Sequence, residues 1–99
     1  MNKEILQKAI DTYGVEAQSD MVIEEMSELT KEILKLRRAV NAKMHSAILA
    51  DCKFNIADEI ADVEIMLTQL KMMHNCEELV EERKEYKVNR LKERMEGQI

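Results

Sequence analysis

The sequence has no proline and no tryptophan, two glycines, and three aromatic side chains, Tyr13, Phe54 and Tyr86. Sandwiches and barrels need frequent turns built on glycine and proline, so an all-β fold is excluded and an α/β fold nearly so. No run of ~18 apolar residues occurs, which leaves nothing to span a membrane. The opening stretch MNKEILQKAI has neither a long apolar core nor an Arg/Ser-rich pattern, so export is not expected. Cys52 and Cys76 form no CxxC pair and read as reduced thiols of a cytoplasmic protein. Excess positive charge is also missing. Lys and Arg number 15 against 20 Asp and Glu, a net of −5, which argues against nucleic-acid binding. His45 and His74 stand alone, without the HExxH or ExxH pairing of zinc or di-iron helices.

What remains is rich in Glu, Lys, Leu, Ala and Met, a helix-forming composition. The 99 residues support one domain, 1–99, and a chain this short buries little surface unaided. The expectation is an all-α antiparallel bundle of four to five helices that assembles with copies of itself. Residues 3–13 place Ile5, Leu6, Ala9, Ile10 and Tyr13 on one face, with Asn2 as cap and Gly14 as stop. On this face Tyr13 reads as closing the first helix against the bundle, with stacking on a base as the alternative. A second helix is predicted from Ser19 or Asp20 to about Val40, striped by Val22, Met26, Leu29, Ile33, Leu36 and Val40. Residues 41–54 are ambiguous, with 46–53 either a short helix or an extension of the next. A third helix, about 55–74, is striped by Ile56, Ile60, Val63, Leu67 and Leu70. Asn75 then resembles the cap of a mostly charged fourth helix, 76–96, with Glu78 completing a capping box. Along that helix only Leu79, Val80, Val88, Leu91 and Met95 offer apolar contact.

The carboxylates carry the chemistry. Glu25 and Glu28 each precede a striped position of the second helix, and Glu59 and Asp62 do so on the third. One residue is about 100° of rotation, so these four acids flank the predicted seam, and each i, i+3 pair sits on adjacent turns. Antiparallel packing brings both pairs to one cleft, where like charges raise each other's pKa unless a cation intervenes. Oxygen ligands suit Mg²⁺ or Mn²⁺, and magnesium commonly shares its coordination with substrate phosphates. The pattern suggests a metal-dependent enzyme acting on a phosphate ester or anhydride. The plainer reading is a solvated acidic face: the string EExxE occurs three times, at Glu24, Glu77 and Glu81. The later two are interleaved with Lys and Arg and read as salt-bridged surface. The first differs, because residues 20–32 hold five acids and one base, and residues 58–64 hold four acids and none.

Glu24-Glu25-x-x-Glu28 followed by Glu59-x-x-Asp62 resembles the EExxE…ExxD signature of the all-α nucleoside triphosphate pyrophosphohydrolases, the MazG-like superfamily. EEMSELTKEILKLRR, DEIADVEIMLTQLK and KEYKVNRLKER are similar to small phage-type or Firmicute-type members. The resemblance covers about residues 20–40 and 57–94. It implies Mg²⁺-dependent hydrolysis of a nucleoside triphosphate to the monophosphate and pyrophosphate, in a nucleotide-pool or housecleaning role. It implies Glu25, Glu28, Glu59 and Asp62 as metal ligands, with Mn²⁺ as a substitute ion and Glu24 orienting a ligand or the attacking water. Homodimers or homotetramers are implied as well. The chain departs from the family over residues 41–57, a longer segment without a glycine turn, which lies near the nucleobase in relatives.

A triphosphate needs cationic partners beyond the metal. Residues 83–94 carry six bases and two acids. Within them Tyr86, Lys87 and Arg90 fall where the resemblance places a substrate-facing helix, and Lys35 and Arg38 are further candidates. Two alternatives stay open. One is a phosphoribosyl-ATP pyrophosphohydrolase-like enzyme, and the other is a non-catalytic helical interaction module.

Overall fold

The computed structural model describes residues 1–97, which form four α-helices and no strand: α1 (Lys3–Tyr13), α2 (Val15–Asn41), α3 (Ser46–Met73) and α4 (Glu77–Met95). The Asn2 side chain caps α1, its Oδ1 accepting from the backbone N–H groups of Glu4 and Ile5 at 3.0 and 3.3 Å. Gly14 stops α1 as expected, but α2 begins at Val15, four to five residues earlier than its acidic Ser19-Asp20 start suggests. One glycine serves both helices. Its N–H donates to the Ile10 carbonyl at 2.8 Å and its own carbonyl accepts from Gln18 at 3.0 Å, so no spacer is needed. This double role requires φ 94° and ψ 157°, a conformation open essentially to glycine alone.

The ambiguous segment resolves into a short turn and an early helix. Residues 42–45 link α2 to α3, and residues 46–54 are the first turns of α3, so the third helix starts about nine residues ahead of its predicted beginning. His45 caps it, Nδ1 accepting from the Ala47 N–H at 3.1 Å. With no glycine available, Lys43 (φ 52°) takes the left-handed position. The Lys43 N–H bonds Val40 and the Met44 N–H bonds Ala39, which closes a Schellman motif. The same geometry ends α3. Asn75 (φ 50°) is the left-handed residue, bonding Met72, and the Cys76 N–H bonds Lys71. The capping-box reading of Asn75 is therefore corrected: it terminates α3, and Cys76 sits at the N-cap of α4 without a side-chain hydrogen bond.

A four-residue connection makes α2 and α3 antiparallel neighbours, and their packing dominates the chain. The observed seam keeps Val22, Leu29, Leu36, Ile56, Val63 and Leu70 of the predicted stripes, but at Met26, Ile33, Val40, Ile60 and Leu67 the preceding residue takes the place. On α2 it runs Gln18, Val22, Glu25, Leu29, Glu32, Leu36, Ala39, and on α3 Leu49, Cys52, Ile56, Glu59, Val63, Met66, Leu70, Met73. Both sets alternate steps of three and four, and every member is buried or half-buried. Met26, Ile33 and Val40 are instead 50%, 43% and 54% exposed, and Ile60 and Leu67 are exposed too. The most deeply buried α2 members of the seam are Gln18, Val22 and Ala39.

Helix α1 packs on both α2 and α3 through Leu6 and Ile10. Tyr13, by contrast, is 67% exposed and does not close α1 against the bundle. Helix α4 meets α3 only sparsely and buries no residue; Leu79, Val88, Leu91 and Met95 are exposed. An ion pair of 2.7 Å between Lys3 Nζ and Glu77 Oε2 ties its start to α1. The result is open: the radius of gyration is 17.3 Å, against about 13 Å for a compact chain of this length.

The turn analysis predicts opposite effects at two positions. Gly14→Ala meets no atom within 4 Å, so its cost is conformational, about 1–3 kcal/mol. Lys43→Gly relieves a left-handed lysine and gains up to about 1 kcal/mol. Thermal melts followed by circular dichroism should move down for the first and up for the second, about 4–8 °C per kcal/mol. An unchanged midpoint for Gly14→Ala contradicts the shared-cap account.

Candidate metal and catalytic site

The displaced seam changes what the carboxylates do. Glu25 and Glu59 do not flank the helix interface but belong to it, and both are half-buried. One oxygen from each of Glu25, Glu59 and Asp62 lies within 4.8 Å of the other two. Three of the four acids expected to share a cleft are thus brought together across α2 and α3. Glu28 is near enough to act on Glu59 through its charge, but its Oε1 accepts from Lys31 Nζ at 3.2 Å and it stands outside the close cluster. Glu24 is exposed and also outside it.

The cluster is electrostatically costly. The Glu59 carboxyl titrates above its ordinary range, first because it is desolvated and then through the proton it can share with the Glu25 carboxyl. The charges of Glu25, Asp62 and Glu28 push it the same way. Its Oε2 is buried with no hydrogen-bond partner. A partnerless buried carboxylate oxygen calls for either a proton or a cation. Three carboxylates, without nitrogen or sulfur, form a donor set suited to a hard divalent ion such as Mg²⁺ or Mn²⁺.

Glu32 is an acid whose place the predicted stripe concealed. It occupies the seam seven residues beyond Glu25, with Oε1 accepting from Lys35 Nζ at 3.1 Å and Oε2 buried without a partner. Its 25–32 spacing, a heptad step, was the available signal. Lys35 is therefore engaged locally, and Arg38 is exposed one turn further on.

The basic candidates of α4 form a separate group. The Tyr86 ring lies beneath two guanidinium groups, with the Arg83 and Arg90 carbons 4.6 and 5.8 Å from its centroid. Tyr86 and Arg90 line a surface concavity with Asn89 and Glu93, and Lys87 is exposed. Helix α4 does not pack on α2, so within one chain these residues are not brought to the carboxylates. The later EExxE strings are surface features as expected: Glu81 pairs with Lys84 at 3.1 Å and Glu77 with Lys3. Cys52 and Cys76 are free and half-buried. No helix among the described residues is long and apolar enough to cross a membrane. Comparison with protein-family models, with curated proteins and with solved structures finds no match for this chain.

The raised pKa of Glu59 carries a pH signature. Its folded state holds the proton more tightly than the unfolded chain, so its contribution favours folding at low pH and is lost as pH rises through the elevated folded value. Glu59→Gln removes that loss. In metal-free buffer the variant should melt higher than wild type above the ordinary carboxylate range, with the gap closing as pH falls below about 4. A gap that is constant with pH contradicts the repulsion.

Proposed function

We propose that this chain is a divalent-metal-dependent nucleoside triphosphate pyrophosphohydrolase, releasing a nucleoside monophosphate and pyrophosphate. The observation that carries the reading is the meeting of Glu25, Glu59 and Asp62 across the seam, with one Glu59 oxygen buried and unpartnered. The likeness of the EExxE and ExxD strings to the MazG-like superfamily supports the reaction class.

Glu25, Glu59 and Asp62 would hold Mg²⁺, with Glu28 beside them. Bound there, the ion supplies charge neutralisation for phosphate oxygens and a lowered pKa for water. Glu28, outside the close cluster, would accept the proton that water gives up, and Glu24 would orient a ligand or that water. No nucleophilic side chain is required, and the described residues place no His or Cys in the cluster.

The substrate's remaining charge needs bases that one chain does not bring to the site. Two features support self-assembly as a homodimer or homotetramer. The exposed Met26, Ile33 and Val40 of α2, with Ile60 and Leu67 of α3, lie on the opposite side of the hairpin from Glu28 and Asp62 by helical phase. The accessible surface is 7689 Å², against about 5,800 Å² for a compact monomer of this mass. A second copy covering the apolar face can also present Tyr86, Lys87 and Arg90 to a neighbouring acidic site. The competing reading, a helical interaction module, shares the apolar face but gives the carboxylates no task.

Purified protein with Mg²⁺ should release pyrophosphate from nucleoside triphosphates, and EDTA should stop it. Glu25→Gln and Asp62→Asn should each lower kcat/KM about 100-fold or more while the fold persists. Glu81→Gln, on the solvated face, should leave it unchanged. Turnover that survives EDTA, or orthophosphate as the sole product, would falsify the assignment. Millimolar Mg²⁺ should also raise the wild-type melting temperature saturably, which the interaction-module reading does not expect.

A further inference from the structure

The bases of α4 are of two kinds. Lys84 and Lys92 are neutralised within the helix, by Glu81 at 3.1 Å and Glu96 at 3.9 Å. Among the described residues, no carboxylate lies within ion-pair distance of Arg83, Lys87, Arg90 or Arg94. Steps of four, three and four residues separate these bases, so they form one stripe along the helix, about 16 Å long. Arg83, Lys87 and Arg94 are exposed and Arg90 is half-buried. Since α4 buries no residue, the stripe has no surface to meet within its own chain.

Helix α3 carries the complementary pattern. Asp51, Asn55, Asp58 and Asp62 follow the same steps of four, three and four. Asp51 and Asp58 are exposed, and none of the three aspartates belongs to an ion pair among the described residues. The lysines of α3, Lys53 and Lys71, lie on its opposite edge by helical phase, so no base interrupts the stripe. The chain's own α4 approaches α3 on that opposite edge. A concavity there brings Lys84 together with Glu64, Leu67, Thr68 and Lys71, and Lys71 stands about 180° around the helix from Asp62. The aspartate stripe is therefore open to a different molecule.

We infer that α4 of one copy docks antiparallel along the aspartate stripe of α3 in a second copy. Arg83 then lies over Asp62, Lys87 over Asp58, Arg90 over Asn55 and Arg94 over Asp51. This direction sets the three exposed bases over the three aspartates and opposes the two helix dipoles. The inference rests on the self-assembly proposed above, to which it adds the faces that meet, and it is independent of the reaction proposed for the carboxylates. One exposed ion pair contributes little, but matched rows of opposite sign set partner, register and association rate together. Single-stranded nucleic acid is a poorer occupant. Arg83 and Arg90 already cover the Tyr86 ring that would stack on a base, and the chain as a whole carries −5.

Charge-swapped variants test the docking. Asp51→Lys with Asp58→Lys makes the α3 stripe basic, and Lys87→Glu with Arg94→Glu places acids on α4. Each double variant alone should self-associate at least about 10-fold more weakly than wild type in sedimentation equilibrium, because like charges now face each other. Mixed in equal amounts they should associate again, and native mass spectrometry should find mixed dimers well above their statistical share. Lys84→Glu with Lys92→Glu changes the net charge equally on other faces of α4 and should associate as wild type does. Wild-type association should also weaken between about 50 and 500 mM salt, which decides the matter if a variant fails to fold. Variants that assemble like wild type, a statistical mixture, an equal loss in the control variant, or salt-independent association each overturn the docking and leave self-assembly standing. A wild type that stays monomeric, with or without a bound single-stranded oligonucleotide, removes self-assembly and docking together.

Discussion

Close packing of α2 on α3 is the constraint from which the other features follow. Two long antiparallel helices joined by a four-residue turn have little freedom to separate, so whatever their seam positions carry must meet. Most of those positions carry apolar groups. Glu25 and Glu59 are exceptions, and with Asp62 they converge although their charges repel. A structure that holds like charges together without basic partners stores a preference for a cation. Protonation of Glu59 relieves the repulsion, and under the proposed function a coordinated ion would relieve it as well. The same atoms would then link folding stability, pH and ion binding.

The hairpin is two-sided. One side carries Glu28, Asp62, Met21 and the concavity beside Tyr13; the other carries Met26, Ile33, Ile60 and Leu67 in exposed positions. Ordinary monomers cover such apolar groups or do without them. Helix α4 adds to the imbalance, since it buries no residue and departs from the body after its Lys3–Glu77 tie. The proposed self-assembly would cover the apolar side and give α4 a surface. It would also offer the acidic side the Arg83–Tyr86–Arg90 group that a single chain keeps apart from it.

Much of this was legible in the residues. The absence of proline and the spacing of apolar positions indicated an all-α chain of four to five helices, of which four are observed among the described residues, and Asn2 and Gly14 marked the bounds of α1. Helical spacing and antiparallel packing pointed to four acids in one cleft; Glu25, Glu59 and Asp62 do converge, whereas Glu28 stands outside the close cluster. Their depth was not legible. Met26 and Ile33 are more apolar than Glu25 and Glu32, so a hydrophobic stripe centres on the former, one residue out of phase with the true seam. Two apolar faces on one helix produce that ambiguity, and only packing decides which face meets the neighbour. The early start of α2 was hidden because Gly14 ends one helix and begins the next. Asn75 was misplaced because asparagine serves equally at an N-cap and in the left-handed residue of a C-terminal turn. The buried Gln18 and Gln69 were silent for a similar reason: a lone Gln in a charged helix reads as surface.

The account turns on whether a divalent ion seats between α2 and α3. Crystals soaked in Mn²⁺ and measured at the manganese absorption edge give the most direct answer. An anomalous peak within about 2.0–2.3 Å of oxygens from Glu25, Glu59 and Asp62 is the predicted result. Peaks confined to the outer faces of α4, or no peak at the cluster in the soaked crystals, contradict it.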